Sequence, residues 1–95
     1  MERPERARVA ADVLDLLLTR ELPVFTGWIA WKVGLQSDTG GNPWLGRLLE
    51  RLAEHGLVEK VTYAWVRMPH WQLTHAGRRW EGGEEELARL IKSRP

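Results

Sequence analysis

The 95-residue sequence predicts an α+β domain in which three helices are followed by a β-hairpin and a C-terminal helix. Three observations carry that expectation. Asn42–Lys60, NPWLGRLLERLAEHGLVEK, reads as a capped, leucine-striped helix that stops at a glycine and passes at once into an extended segment. From Leu57 to Leu73 the helical period gives way to β-branched and aromatic residues at Val58, Val61, Thr62, Tyr63, Trp65 and Val66. Near the N-terminus, Val9, Val13, Leu14, Leu17 and Leu18 recur at helical spacing.

Taken in order, residues 1–6 are charged and contain Pro4, so a frayed end is expected there. An amphipathic helix follows from Ala7 to about Arg20, and Glu21-Leu22-Pro23 breaks it, because proline lacks a donor and disfavours helix in the residue before it. Thr26 is the expected cap of a second helix reaching Val33 or Gly34, with Trp28 and Ile29 inward and Trp31 and Lys32 partly outward. Gln36–Gly41 is a turn-rich loop by composition. Asn42 then offers a side-chain oxygen to a free amide of the third helix, and Pro43 suits its first position. Leu45, Leu48, Leu49 and Leu52 form one apolar stripe, and Gly56 supplies the left-handed residue that ends the helix. The hairpin is expected to turn near Arg67-Met68-Pro69, with Trp65 and Trp71 paired across its strands. Thr74 is a plausible cap for a fourth helix over His75–Glu81, which Gly82-Gly83 interrupts before Glu84–Lys92. In that last helix acidic residues lead and basic residues trail, matching the helix dipole.

The length fits a single domain spanning residues 1–95. Cysteine is absent, which excludes disulfides and thiolate metal sites, and no apolar run approaches the ~20 residues of a membrane span. No signal-peptide pattern follows the N-terminus, so a cytoplasmic protein without membrane association is expected. The formal net charge is only +1, but it is unevenly placed. Val24–Trp80 holds seven basic and four acidic residues, and the glutamates from Glu81 to Glu86 offset that excess. A basic centre of this kind is compatible with a polyanionic partner.

Catalysis finds little support, and no enzyme is expected. Serine occurs only at Ser37 and Ser93, and His55, His70 and His75 have no recognised metal spacing. Gly40-Gly41-Asn42-Pro43 precedes a helix but is neither a P-loop nor a dinucleotide fingerprint. No cofactor is implied.

Three motifs in order carry a resemblance: Gly27-Trp28-Ile29-Ala30, the leucine helix running through Gly56 into Leu57-Val58, and Trp71-Gln72-Leu73-Thr74-His75-Ala76-Gly77. Together they resemble winged helix-turn-helix transcriptional regulators of the PadR-like and MarR-like kind over roughly residues 9–80. The resemblance implies sequence-specific binding of double-stranded DNA, with the recognition helix 43–55 in the major groove and the wing 58–73 on the backbone or minor groove. It nominates Asn42, Trp44, Gly46, Arg47, Glu50 and Arg51 on that helix, Arg67 and His70 at the wing tip, and Arg78 and Arg79 beyond it. Arg47 is the candidate for bidentate readout of guanine, and Arg51, one turn on, for a phosphate. A solvated face, with both arginines near glutamates, is the plain alternative.

Gly46 and Trp44 depart from the family pattern, which has tyrosine at the first position and Thr or Ser at the second. Trp44 would stack on sugar-phosphate, fill a site on a protein partner, or close as a lid over the turn. Dimers in the family form through terminal helices, which makes residues 84–95, with Leu87, Leu90 and Ile91, a candidate dimerisation element. The competing function is a protein-interaction module that uses Trp44 and Trp31 and binds no DNA.

Overall fold

The computed structural model describes residues 5–35 and 42–92. The turn-rich loop 36–41, residues 1–4 of the expected frayed end and residues 93–95 lie outside the described residues. Along the chain the elements are α1 (Arg6–Leu18), β1 (Val24–Phe25), α2 (Thr26–Lys32), α3 (Pro43–Glu54), β2 (Val58–Tyr63), β3 (Val66–Leu73), α4 (His75–Arg78) and α5 (Glu84–Lys92). The three strands form one antiparallel sheet in the order β1-β3-β2.

A single apolar cluster unites these elements. Val13, Leu14 and Leu17 of α1 meet Ile29 of α2, the four leucines of α3, Trp71 and Leu73 of β3, and Leu87 and Ile91 of α5. Leu18, expected on the apolar face of α1, is exposed instead. It lies one residue, about 100°, past Leu17, beyond the edge of the stripe. Leu87 and Ile91 are buried as α5 packs on α1, so of the three residues nominated for a dimer seam only Leu90 keeps part of its surface outside the chain's own core.

Each end of α3 is closed as its sequence requires. Asn42 Oδ1 accepts a hydrogen bond from the Leu45 amide at 2.9 Å, and Pro43 occupies the first turn. At the other end Leu57 N donates to Leu52 O at 3.1 Å and Gly56 N donates to Ala53 O at 2.9 Å. With Gly56 at φ +76°, this is a Schellman closure.

The return of the hairpin is fastened to that closure. The Thr74 hydroxyl donates to Gly56 O at 2.5 Å and accepts from Gly77 N at 3.0 Å, which caps α4. Thr74 N donates to Leu57 O at 3.2 Å. The α4 backbone comes so close that a Cβ on Gly77 would lie 1.9 Å from Leu57 O. The Thr-x-x-Gly spacing is therefore a joint between the end of α3 and the end of the wing.

Two local expectations give way to tertiary demands. Thr26 is the first residue of α2 and makes no cap; Phe25 precedes it, with no side chain capping the helix. The buried Thr26 hydroxyl instead accepts a hydrogen bond from Trp71 Nε1 at 2.8 Å. The hairpin turns at Ala64-Trp65, not at Arg67-Met68-Pro69. Between the pairs Val61↔His70 and Tyr63↔Val66, β3 spends three residues against one of β2. Pro69 falls within that bulge, where its missing N–H breaks no ladder bond. Trp65 and Trp71 do not pair, since Trp71 lies opposite Lys60 and Val24. Helix α4 stops at Arg78, short of the expected Glu81, and Trp80 folds its ring against Gly82 ahead of α5.

Three substitutions test this architecture by urea denaturation. Gly77→Ala forces a methyl into a backbone carbonyl and is expected to cost about 1–3 kcal/mol or more. Gly46→Ala, whose added Cβ meets nothing within 4 Å, is expected to gain up to roughly 1 kcal/mol, as alanine suits a helix interior. Thr26→Val leaves the buried Trp71 indole N–H without its acceptor and is expected to cost about 1–3 kcal/mol.

Candidate nucleic-acid interface

The outward face of α3 and strand β3 enclose an open groove of about 520 Å³ lined by Pro43, Gly46, Arg47, Glu50, Arg51, Glu54, Pro69 and Trp71. Four of the six nominated α3 positions, Gly46, Arg47, Glu50 and Arg51, therefore come together on one surface. The other two serve the fold. Asn42 caps the helix, and Trp44 is half-buried against the core.

Charge pairing on this face is selective. Lys60 Nζ of β2 reaches Glu50 Oε1 at 2.6 Å and sits 5.6 Å from the centre of the Trp71 ring. Arg51 Nε lies 3.8 Å from Glu54 Oε2, and the Arg51 side chain is only 21% exposed. Arg47 is exposed and has no carboxylate within 4 Å among the described residues. The solvated-face alternative would pair Arg47 with Glu50, one helical turn away, but the strand has taken that glutamate. Lys60 thus pairs with the glutamate one helical turn from Arg47 and leaves the guanidinium on the groove with no carboxylate partner among the described residues.

Sequence reasoning passed over Lys60 as a site residue. Its signal was the charge run that it opens: residues 60–80 contain Lys60, Arg67, Arg78 and Arg79 and no aspartate or glutamate. From Lys60 onward the wing and the start of α4 are consequently free of carboxylates, Glu59 at the base of β2 being the last one before that run.

The nominated wing residues do not share one location. Arg67 is exposed on the bulge. His70 is away from the tip, half-buried among rings: it meets Tyr63 edge-on at 5.0 Å and Phe25 at 6.0 Å, with Nδ1 2.9 Å from Met68 O. Its strand register, opposite both Phe25 and Val61, puts it in the middle of the sheet. Arg78 and Arg79 are exposed but do not line the groove, and Arg78 Nη2 makes a long contact of 3.4 Å to Arg20 O. Trp31 is 66% exposed beside Lys32, whose Nζ lies 4.7 Å from its ring centre.

Among the described residues no three or more His, Asp or Glu side chains come together as metal ligands, and no helix is long and apolar enough to cross a membrane. The Lys60–Glu50 contact has a measurable consequence. Both side chains are more than a third exposed, so a double-mutant cycle is expected to give a coupling of only about 0.2–1 kcal/mol, lessened by added salt.

No family model matches the chain, and no curated protein sequence matches it. A solved structure does: the PcaV transcriptional regulator from Streptomyces coelicolor, in complex with its natural ligand. The match has a TM-score of 0.58 and 25% identity, covering 96% of this chain and 55% of that one. The chain therefore spans about half the length of that regulator. Helices, antiparallel wing and neighbour agree on the architecture: the fold is a winged helix, similar to that of a transcriptional regulator.

Proposed function

We propose that the chain binds double-stranded DNA sequence-specifically as a small transcriptional regulator of the PadR-like or MarR-like kind. Helix α3 enters the major groove, Arg47 reads a guanine edge, and the wing follows the backbone or minor groove. One observation carries the reading above the others: Arg47 lines the groove without a carboxylate partner among the described residues, while Glu50 pairs with Lys60. The acid-free run 60–80 supports it, as does the likeness to a transcriptional regulator. Gly46 adds room, since a helix without a side chain at that point can bring its backbone close to base edges. Arg67, Arg78 and Arg79 serve as phosphate contacts around this centre, and a cytoplasmic location goes with the activity.

A protein-docking role without DNA is the second reading, favoured by the exposed Trp31 and Trp65, whereas Trp44 is half-buried against the core. Salt separates the two. Phosphate contacts release counterions and make affinity fall steeply with salt, whereas an apolar tryptophan interface responds far less.

The decisive experiment is selection from a random pool of labelled duplexes at low and moderate salt, with Arg47→Ala beside the wild type. Wild type is expected to enrich a defined sequence in a salt-sensitive manner. Arg47→Ala is expected to lose about 1–3 kcal/mol at one base position and relax specificity there. Absence of binding even at low salt would sink the proposal.

A further inference from the structure

Trp65 stands at the turn between β2 and β3 and is 83% exposed, the most exposed large hydrophobic side chain among the described residues. A hairpin turn gains nothing from an indole in water; glycine, asparagine and aspartate are the residues such turns favour. The ring does have an aromatic neighbour: Tyr63 is 6.0 Å away at 33°, His70 meets Tyr63 at 5.0 Å and 88°, and Phe25 meets His70 at 6.0 Å and 60°. A line of four rings thus runs from β1 across the sheet to the tip.

The surroundings specify the partner's chemistry. Arg67 is exposed two residues beyond Trp65, and the tip lies within the run 60–80 that carries no carboxylate. A partner with flat aromatic faces and dense negative charge fits this combination, and nucleic acid has both, as bases and phosphates. Strand β3 leads from Trp71 and Pro69, which line the groove, through the bulge 67–69 to Trp65 at the tip, so the indole stands on the same wing that borders α3.

We infer that Trp65 is a stacking wedge: with α3 in the major groove, the indole enters the neighbouring minor groove and stacks on a base at a partly opened step, with Arg67 on the adjacent phosphate. The inference rests on the DNA-binding reading above and adds to it a mode of recognition. A wedge of this kind kinks the duplex, and it favours pyrimidine–purine steps, which unstack most easily.

The test uses the full chain and the duplex enriched by wild type, with 2-aminopurine replacing adenine in turn at positions flanking the α3 contact. Wild type and Trp65→Phe are expected to change 2-aminopurine fluorescence at one step, and Trp65→Ala to abolish that change. Trp65→Ala should weaken binding roughly 5- to 150-fold without altering the slope of log affinity against log salt, because stacking releases no counterions. Arg67→Ala should reduce that slope by about 1. Circular dichroism is expected to show all three variants folded, as both side chains are exposed. If Trp65→Ala binds within about twofold of wild type and keeps the fluorescence change, the wedge is overturned while DNA binding stands. A loss of affinity with an altered salt slope and no 2-aminopurine signal in wild type overturns it equally. If wild type enriches no duplex at low salt, the DNA reading and the wedge fall together.

Discussion

The joint formed by Gly56, Leu57, Thr74 and Gly77 is the constraint on which the rest of the molecule depends. Helix α3 and the wing are separate pieces of secondary structure, and their relative placement decides whether a groove exists between them. Two backbone carbonyls left over at the end of α3, those of Gly56 and Leu57, are taken by the hydroxyl and amide of Thr74. The same hydroxyl caps α4, and Gly77 lets that short helix lie directly against Leu57. Leu57 is buried, so leaving its carbonyl unpaired would cost more than an average hydrogen bond contributes, and the joint has little freedom to shift. The buried Trp71–Thr26 hydrogen bond ties the central strand β3 to the start of α2. Between these two anchors β3 is held as the central strand, and its outer part is aimed along the face of α3.

On that frame, charge is distributed by competition for glutamates. Helical spacing alone would pair Arg47 with Glu50, and Arg51 with Glu54. A lysine arriving from a different element changes the outcome: Glu50 turns to Lys60, Arg51 settles on Glu54, and Arg47 is left over. The exposed Lys60–Glu50 pair is worth little to stability, and the Arg51–Glu54 contact is long at 3.8 Å. Their importance lies in which cation they leave unengaged at the groove. The wing continues the same sign, since its run from Lys60 to Trp80 carries no acid.

The aromatic residues divide by the same logic of placement. Trp71 is a core residue with its polar N–H satisfied, Trp28 is half-buried beneath Arg20 and Lys32, and Trp44 leans on the core at the start of α3. Trp31 and Trp65 are left in solvent, on α2 and on the wing tip respectively. A high tryptophan content therefore resolves into a structural group and an exposed pair, and the two exposed rings sit on different elements.

Much of the fold was legible in the sequence, for reasons local to the chain. The Asn42 cap, Pro43, the four-leucine stripe and Gly56 determine α3 through neighbours within a few residues, and each appears where those rules put it. The break at Glu21–Pro23, the Thr74 cap and the charge order of α5 are equally local. Tertiary structure decided what depended on distant partners. Thr26 looked like a cap but is claimed by an indole 45 residues away. The turn fell at Ala64-Trp65 because β3 absorbed Arg67, Met68 and Pro69 in a bulge, which composition alone reads as a turn. His70 left the wing tip for the same reason, and Leu87 and Ile91 were drawn inward because α5 lies on α1. Within the candidate site, the sequence by itself determined which residues share the outer face of α3, because 3.6-residue periodicity is a property of the backbone. Only the folded molecule decided which of them is left without an ion-pair partner among the described residues, because that rests on a lysine from a strand of the wing.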